Sequence, residues 1–272
     1  CFDGQINILV VNARHMKNVP GRKTDMRDAQ WIATLLRAGL LKGSFIPDKT
    51  FRELRHLTRY RKSIVRDITA QKNRIDKFLQ SSGFRFTAFL SDAFGASGRN
   101  IIRHLMEYGN ISREALDRCL KTQTRKRIDE ILIALNGSLS EHQRGFLRMI
   151  FGHLEALEQH RHTVEDAITK EITKHEEALS LLCSIPGIDV TAAAAIIAEI
   201  GTDMSAFPDS QHICSWAGLS PGNNESAGKR KSAHINKGNP YLKSVLCEVR
   251  WVTSGKRTLY LAGWYWRIKQ RK

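Results

Sequence analysis

Two long stretches of helical periodicity set most of what this chain can become. Residues 51–79, "FRELRHLTRYRKSIVRDITAQKNRIDKFL", place Leu54, Leu57, Ile64, Ile68, Ile75 and Phe78 at alternating three- and four-residue steps. Arg61 and Gln71 fall in the remaining seam positions, so the pattern is coiled-coil-like with polar interruptions. A second stretch runs from about Glu141 to Leu182. Its stripe is Ile150, Leu154, Leu157, Val164 and Ile168, with Arg161 inside it. Between the two lie shorter helical segments and breaks such as "FGASG" and "LNGSLS". Such a pair predicts an antiparallel hairpin, an oligomerising coiled coil or ordinary bundle helices. The fold class is therefore mostly α, divided into residues 1–50, a helical region over 51–180 and a C-terminal helical domain over 181–272.

The first fifty residues have a different texture. "INILVV", Ile6 to Val11, reads as a buried strand, followed by a basic loop with a turn at Pro20–Gly21. Thr24 is a good N-cap for a helix running from Asp25 to about Arg37, stopped by Gly39. "LLKGSFIPDKT" supplies a second apolar patch. Strand, loop, helix and possible strand form one edge of an α/β unit.

Asp25 and Asp28 are three residues apart at the start of that helix, a spacing that puts both carboxylates on one face. Asp25 is also explained by the helix dipole. Asp28 shares its stripe with Ile32, Leu35 and Leu36, which the amphipathic pattern turns toward a core. Two anions on a core-facing stripe need a cationic partner, an arginine or a hard divalent ion.

From Leu181, "LLCSIPGIDVTAAAAIIAEIG" gives an apolar helix end, a Pro-Gly turn and an alanine-rich helix. It resembles a helix-hairpin-helix whose turn amides hold a phosphate, and equally a ligand-free αα-turn. Ala192 to Ala195 predict close approach of another backbone. A short helix near Ser210–Ala217 precedes a long polar loop, and a further helix starts near Pro240. "LYLAGWYWRIKQRK" continues as an amphipathic helix.

Charge narrows the partner. Among 272 residues the formal net charge is +16, which favours a polyanion, nucleic acid first and an anionic membrane surface second. No run of eighteen apolar residues predicts a membrane span. Five scattered cysteines without CxxC pairs read as reduced thiols. Arg52, Arg55, Arg59, Lys62 and Arg66 on the first long helix are candidate backbone contacts to nucleic acid, as are Lys229, Arg230, Lys231 and Lys237 in the polar loop. Trp216, Tyr241, Trp251, Trp264 and Trp266 are either base-stacking or core residues, with core packing expected for most.

The stretch "GRKTDMRDAQWIATLLRAGLL", preceded by "VVNARHMK" and followed by "FIPD", resembles the DEDD-type insertion-sequence transposases of the IS one-ten and IS one-one-one-one group. "AGLSPGNNESAGKRKSAHINKGNPYLK" resembles the second domain of the same family, with the helical region in the expected place between. The resemblance implies that residues 1–50 are the C-terminal part of a RuvC-like domain, with Asp25 and Asp28 as the last two of four acids that bind Mg2+. It implies that Ser226 is the nucleophile that forms a covalent phosphoserine link to DNA. It also implies a DNA recombinase guided by a structured, element-encoded bridge RNA, working as a dimer or tetramer through the helical region. The location implied is the cytoplasm of a bacterium or archaeon, near the nucleoid. The first two acids have no counterpart upstream of Ile6, where only "CFDGQ" stands, so the expectation is a fragment shortened at both ends. Two other readings remain: a catalytically inactive nucleic-acid-binding and oligomerisation module, and a RuvC-type Mg2+ nuclease that uses water as its nucleophile.

Overall fold

The computed structural model describes residues 8–11, 25–41, 43–221, 224–226, 228–232, 234–255 and 258–271; side chains of 25–28, 224–226 and 229–232 lie outside the description. The Pro20–Gly21 turn, the Thr24 cap and the first two residues of the Ile6–Val11 strand also fall outside the described residues. The fold is mostly α. It divides into two compact units, Cys1–Arg55 with His175–Lys272, and His56–Lys174.

In the first unit, helix α1 spans Asp25–Arg37. Helix α2, Lys49–Ser81, begins in this unit and continues into the other. Val11 forms an isolated antiparallel bridge with Gly43, and the Ser44 amide donates to the Val10 carbonyl. The two apolar patches of the N-terminal segment thus meet. The first of them is not buried, however: Ile8, Leu9 and Val10 are exposed, which corrects the expectation of a buried strand. A single bridge leaves both faces of the segment open, so its apolar run does not reach a core.

The rest of the unit is a helical assembly. Helices α8 (Glu176–Cys183), α9 (Val190–Ile200), α10 (Ser210–Ala217), α11 (Pro240–Gly255) and α12 (Tyr260–Gln270) are joined by short connections and one β-hairpin, β1 (Asn224–Ser226) with β2 (Lys229–Ser232). The helices between residues 56 and 174 belong to the second unit. The local signals for α9 and α10 agree with their ends. Asp189 caps α9 by accepting from the Ala192 amide at 2.7 Å, and Asp209 caps α10 by accepting from the His212 amide at 2.9 Å. Gly218 ends α10 in the left-handed region at φ 73°. Ala193 and Ala194 are fully buried, so α9 lies close against α8 and α11 as its small residues predict. Ile188, Ala193, Ile196, Ile200, Phe207, Ala217 and Leu242 form the core. Phe45 from the N-terminal segment joins it, meeting Phe207 edge-on at 4.8 Å and Trp216 at 5.7 Å.

In the second unit, the remainder of α2 runs antiparallel to α7, Glu141–Ile172. Arg61 pairs with Glu165 at 2.7 Å, Gln71 Nε2 donates to the Ile150 carbonyl at 2.6 Å, and Phe78 meets Phe146 at 5.1 Å. Rising numbers on one helix face falling numbers on the other, so the seam is closed within the chain as an antiparallel pair. Ile64, Ile68, Ile75, Ile150, Leu154, Val164 and Ile168 are buried, while Leu57, Phe78 and Leu157 are half-buried at its margins. The polar seam residues are matched rather than buried alone: Gln71 is satisfied by a carbonyl and Arg61 by a carboxylate. Ser140 starts α7 with a reciprocal capping box to Gln143. The insert contributes α3 (Ala96–Tyr108), α4 (Arg113–Cys119), α5 (Thr122–Arg125) and α6 (Ile128–Ile133). Helix α3 docks on α7 through Arg99 Nη2, which donates to both Glu158 carboxylate oxygens at 2.6 and 2.7 Å, and through an Arg103–Glu155 pair at 2.9 Å.

Candidate functional site

Ser226 does not lie in an open loop. It ends β1, its backbone pairs with Lys229 at the start of β2, and only Ala227 and Gly228 separate the two strands. This makes "NESAGKRKS" a tight β-hairpin with Ser226 beside its tip and Lys229, Arg230 and Lys231 on the returning strand. Gly228 has φ 71° and open space where a Cβ would project. The cost of a side chain there is therefore purely conformational. Gly228→Val is expected to destabilise the hairpin by roughly 1–2 kcal/mol, read as lost hydrogen-exchange protection across residues 224–232 with the helices unaffected.

The base of the hairpin is held tightly. Pro221 bridges Ile235, the Asn236 amide donates to the Ser220 carbonyl at 3.2 Å, and the Asn239 amide donates to the Trp216 carbonyl at 3.0 Å. A Cβ on Gly238 would sit 2.2 Å from the Gly218 nitrogen, so these two glycines serve chain-to-chain approach. Gly222 lies outside the described residues. His234 stands near this base. In the sequence it lies five residues beyond Lys229, the backbone partner of Ser226.

Beneath the hairpin lies a polar cluster that the sequence reading did not single out. Glu199 on α9 is 2% exposed. Arg55 Nε is 3.1 Å from Glu199 Oε2, and Arg55 Nη2 donates to the Glu199 carbonyl at 2.7 Å. Asn239 Nδ2 donates to the same carboxylate oxygen at 2.6 Å. Asn239 Oδ1 in turn accepts from the Tyr241 and Leu242 amides, capping α11. The signal for this cluster was a lone acid in an otherwise apolar helix, "AAAAIIAEI". Arg55, expected as a nucleic-acid contact, is held inward by Glu199. Arg66 and Lys237 are exposed, while Arg52, Arg59 and Lys62 are half-exposed and have partners.

Asp25 and Asp28 are the first and fourth residues of α1. Their side chains lie outside the described residues, as do those of Ser226, Lys229, Arg230 and Lys231. The stripe ascribed to Asp28 is mostly not core-facing: Leu35 is buried, but Ile32 is 37% and Leu36 55% exposed. The amphipathic pattern is present, yet nothing described covers most of it. What remains in favour of a shared ion is the i, i+3 spacing of the two acids. Two oxygen donors from one helical turn suit part of a site for a hard cation. Among the described residues no group of three or more His, Cys, Asp or Glu is placed to hold a metal ion.

The Pro-Gly turn between α8 and α9 is packed rather than open. A Cβ on Gly187 (φ 94°) would lie 2.8 Å from Thr253 Cγ2 on α11. The amides at the start of α9 already face the Asp189 carboxylate. An anion is thus in place, which weighs against a phosphate there and favours the ligand-free αα-turn. Trp216 packs in the core as expected, whereas Trp251 and Trp264 do not.

Comparison with known proteins finds similarity at both ends of the chain. A family model described as Transposase IS116/IS110/IS902 family matches residues 179–266, and a transposase model of the DEDD type of IS110 matches residues 2–83. The chain is 23% identical over 247 residues to "Putative transposase y4qE" of Sinorhizobium fredii, covering 88% of this chain and 51% of that protein. It is 28% identical over 248 residues to "Insertion element IS110 uncharacterized 43.6 kDa protein" of Streptomyces coelicolor, covering 84% of this chain and 60% of that protein. The chain thus spans a little over half the length of these curated relatives.

Proposed function

The chain belongs to the IS110 family of insertion-sequence transposases, and from that premise we propose that it carries the strand-cutting and strand-joining residues of a DNA recombinase. In this reading the Ser226 Oγ attacks a DNA phosphodiester. One P–O bond to the sugar breaks, a serine–phosphate ester forms, and the departing DNA oxygen takes up a proton. A hydroxyl of a second strand then attacks that ester, which restores the serine and joins the strands. The single observation that supports this best is the position of Ser226: next to the tip of a hairpin with a braced base, followed at once by Lys229, Arg230 and Lys231. In this reading the cations of the returning strand neutralise the phosphates flanking the attacked bond.

Asp25 and Asp28 would hold Mg2+, completed by donors from outside α1; such an ion, when bound, supplies charge stabilisation at the phosphate. The partners in this reading are DNA and a structured guide RNA, both suited to a net charge of +16. No subunit contact is assigned to the α2–α7 seam, because that seam is closed within the chain. No described helix is long and apolar enough to cross a membrane.

The test is to react the protein with end-labelled element DNA, guide RNA and Mg2+, then denature it. A labelled protein–DNA adduct is expected, absent with EDTA and released in base by β-elimination. Cleavage with no adduct would instead indicate attack by water. Binding with neither cleavage nor adduct would indicate a binding module.

A further inference from the structure

The last two helices carry a feature that the proposed chemistry does not use. After Glu248 the sequence has no acidic residue, while seven of its last 24 residues are Lys or Arg and five are aromatic. Helices α11 and α12 pack together with Ala262 and Ser254 buried, and Trp266 Nε1 donates to the Ser254 carbonyl at 3.3 Å. The outward side is unusual. Trp251 is 66%, Tyr260 81% and Trp264 56% exposed. Tyr260, Trp264, Arg267 and Ile268 follow one another on a single face of α12.

Rings and cations are interleaved. The Arg250 guanidinium carbon lies 5.3 Å from the Trp251 ring and 4.5 Å from the Tyr265 ring. Tyr265 meets Trp266 at 5.5 Å, and Lys269 Nζ lies 4.7 Å over Trp266. No carboxylate pairs with Arg250, Arg267 or Lys269 among the described residues, in contrast to the paired arginines of the second unit.

Exposed rings of this size mark a binding surface. The occupant has to be anionic, and it has to offer flat faces to rings set among cations. Unpaired nucleotides offer both, whereas a duplex keeps its base faces stacked inside. A second copy of this surface would bring like charges together. A membrane-lying helix separates its charged and apolar faces, but here Arg267 shares a face with Trp264 and Ile268. We propose that the α11–α12 hairpin binds unpaired nucleotides, stacking bases on Trp251 and Trp264 and neutralising phosphates with Arg250, Arg267 and Lys269. The inference rests on the DNA-processing reading and sharpens it, since strand exchange exposes unpaired bases.

The test is fluorescence anisotropy of the full chain with a labelled thymidine oligomer of about 20 nucleotides and with a duplex of equal length, at one fixed salt concentration. Trp251→Ala and Trp264→Ala are each expected to weaken oligomer binding roughly fivefold or more, with duplex binding within twofold. Trp251→Phe should restore most of the loss, which a merely structural role for the indole would not predict. Both rings are exposed, so unchanged circular dichroism is expected. Equal loss for oligomer and duplex, or no loss for either, overturns the proposal. So does a loss confined to anionic phosphatidylserine vesicles or to self-association measured by light scattering. Selective oligomer binding without any serine adduct would sink the proposed reaction and leave this surface standing. An adduct without selective binding would do the reverse.

Discussion

Ser226→Ala is expected to abolish the covalent protein–DNA adduct, lowering the rate by a factor on the order of 10³ or more, while DNA affinity stays within about twofold. The two effects separate because different groups carry them. The hydroxyl is the attacking atom, so its removal leaves no bond to form. Affinity comes from phosphate neutralisation, and Lys229, Arg230 and Lys231 on β2 remain in place. Alanine also keeps the extended backbone that pairs residue 226 with Lys229, so hairpin register should survive. An adduct of undiminished yield in Ser226→Ala would mean that another group is the nucleophile. Cleavage retained without adduct in both wild type and variant would mean that water attacks.

The helical fold was legible because its signals are local and periodic. Leu54, Ile64, Ile68 and Ile75 mark a stripe wherever the helix packs, and the Ser140 and Asp209 caps mark ends without help from tertiary contacts. The N-terminal stripe shows the limit of that logic. Periodicity around Asp28 says which residues share a face, but Ile32 and Leu36 are exposed because burial depends on what covers the face. The Ser226 loop was recognised as a motif but not as a hairpin. "NNESAGKRKS" has no apolar alternation, and Ala-Gly is a weaker turn signal than Asn-Gly. Indole exposure was misjudged in the same way: composition ranks tryptophan as a core residue, and only the packing of α12 shows Trp264 facing out while Trp266 turns in.

Glu199 was the least legible residue, and its removal should have the largest effect on stability. Glu199→Ala takes the carboxylate away from a guanidinium that is only 17% exposed and from the Asn239 amide group. Breaking a buried pair from one side typically costs about 3–5 kcal/mol. The lower end, about 3 kcal/mol, is expected here, since Arg55 keeps the Ala198 and Glu199 carbonyls as acceptors. In urea, unfolding of the unit containing α8–α12, followed by Trp216 fluorescence, should shift accordingly, while the α2–α7 pair melts as before. Converting both partners, Arg55→Met with Glu199→Leu, should recover much of the loss, because the lone buried charge is then gone. The functional consequence differs from the energetic one. Asn239 is oriented by Glu199 and closes the base of the hairpin through the Trp216 carbonyl. The apolar double variant is therefore expected to fold yet form adduct more slowly than wild type, with DNA affinity unchanged. Wild-type adduct rates in that variant would show that Glu199 holds the fold and does not position Ser226.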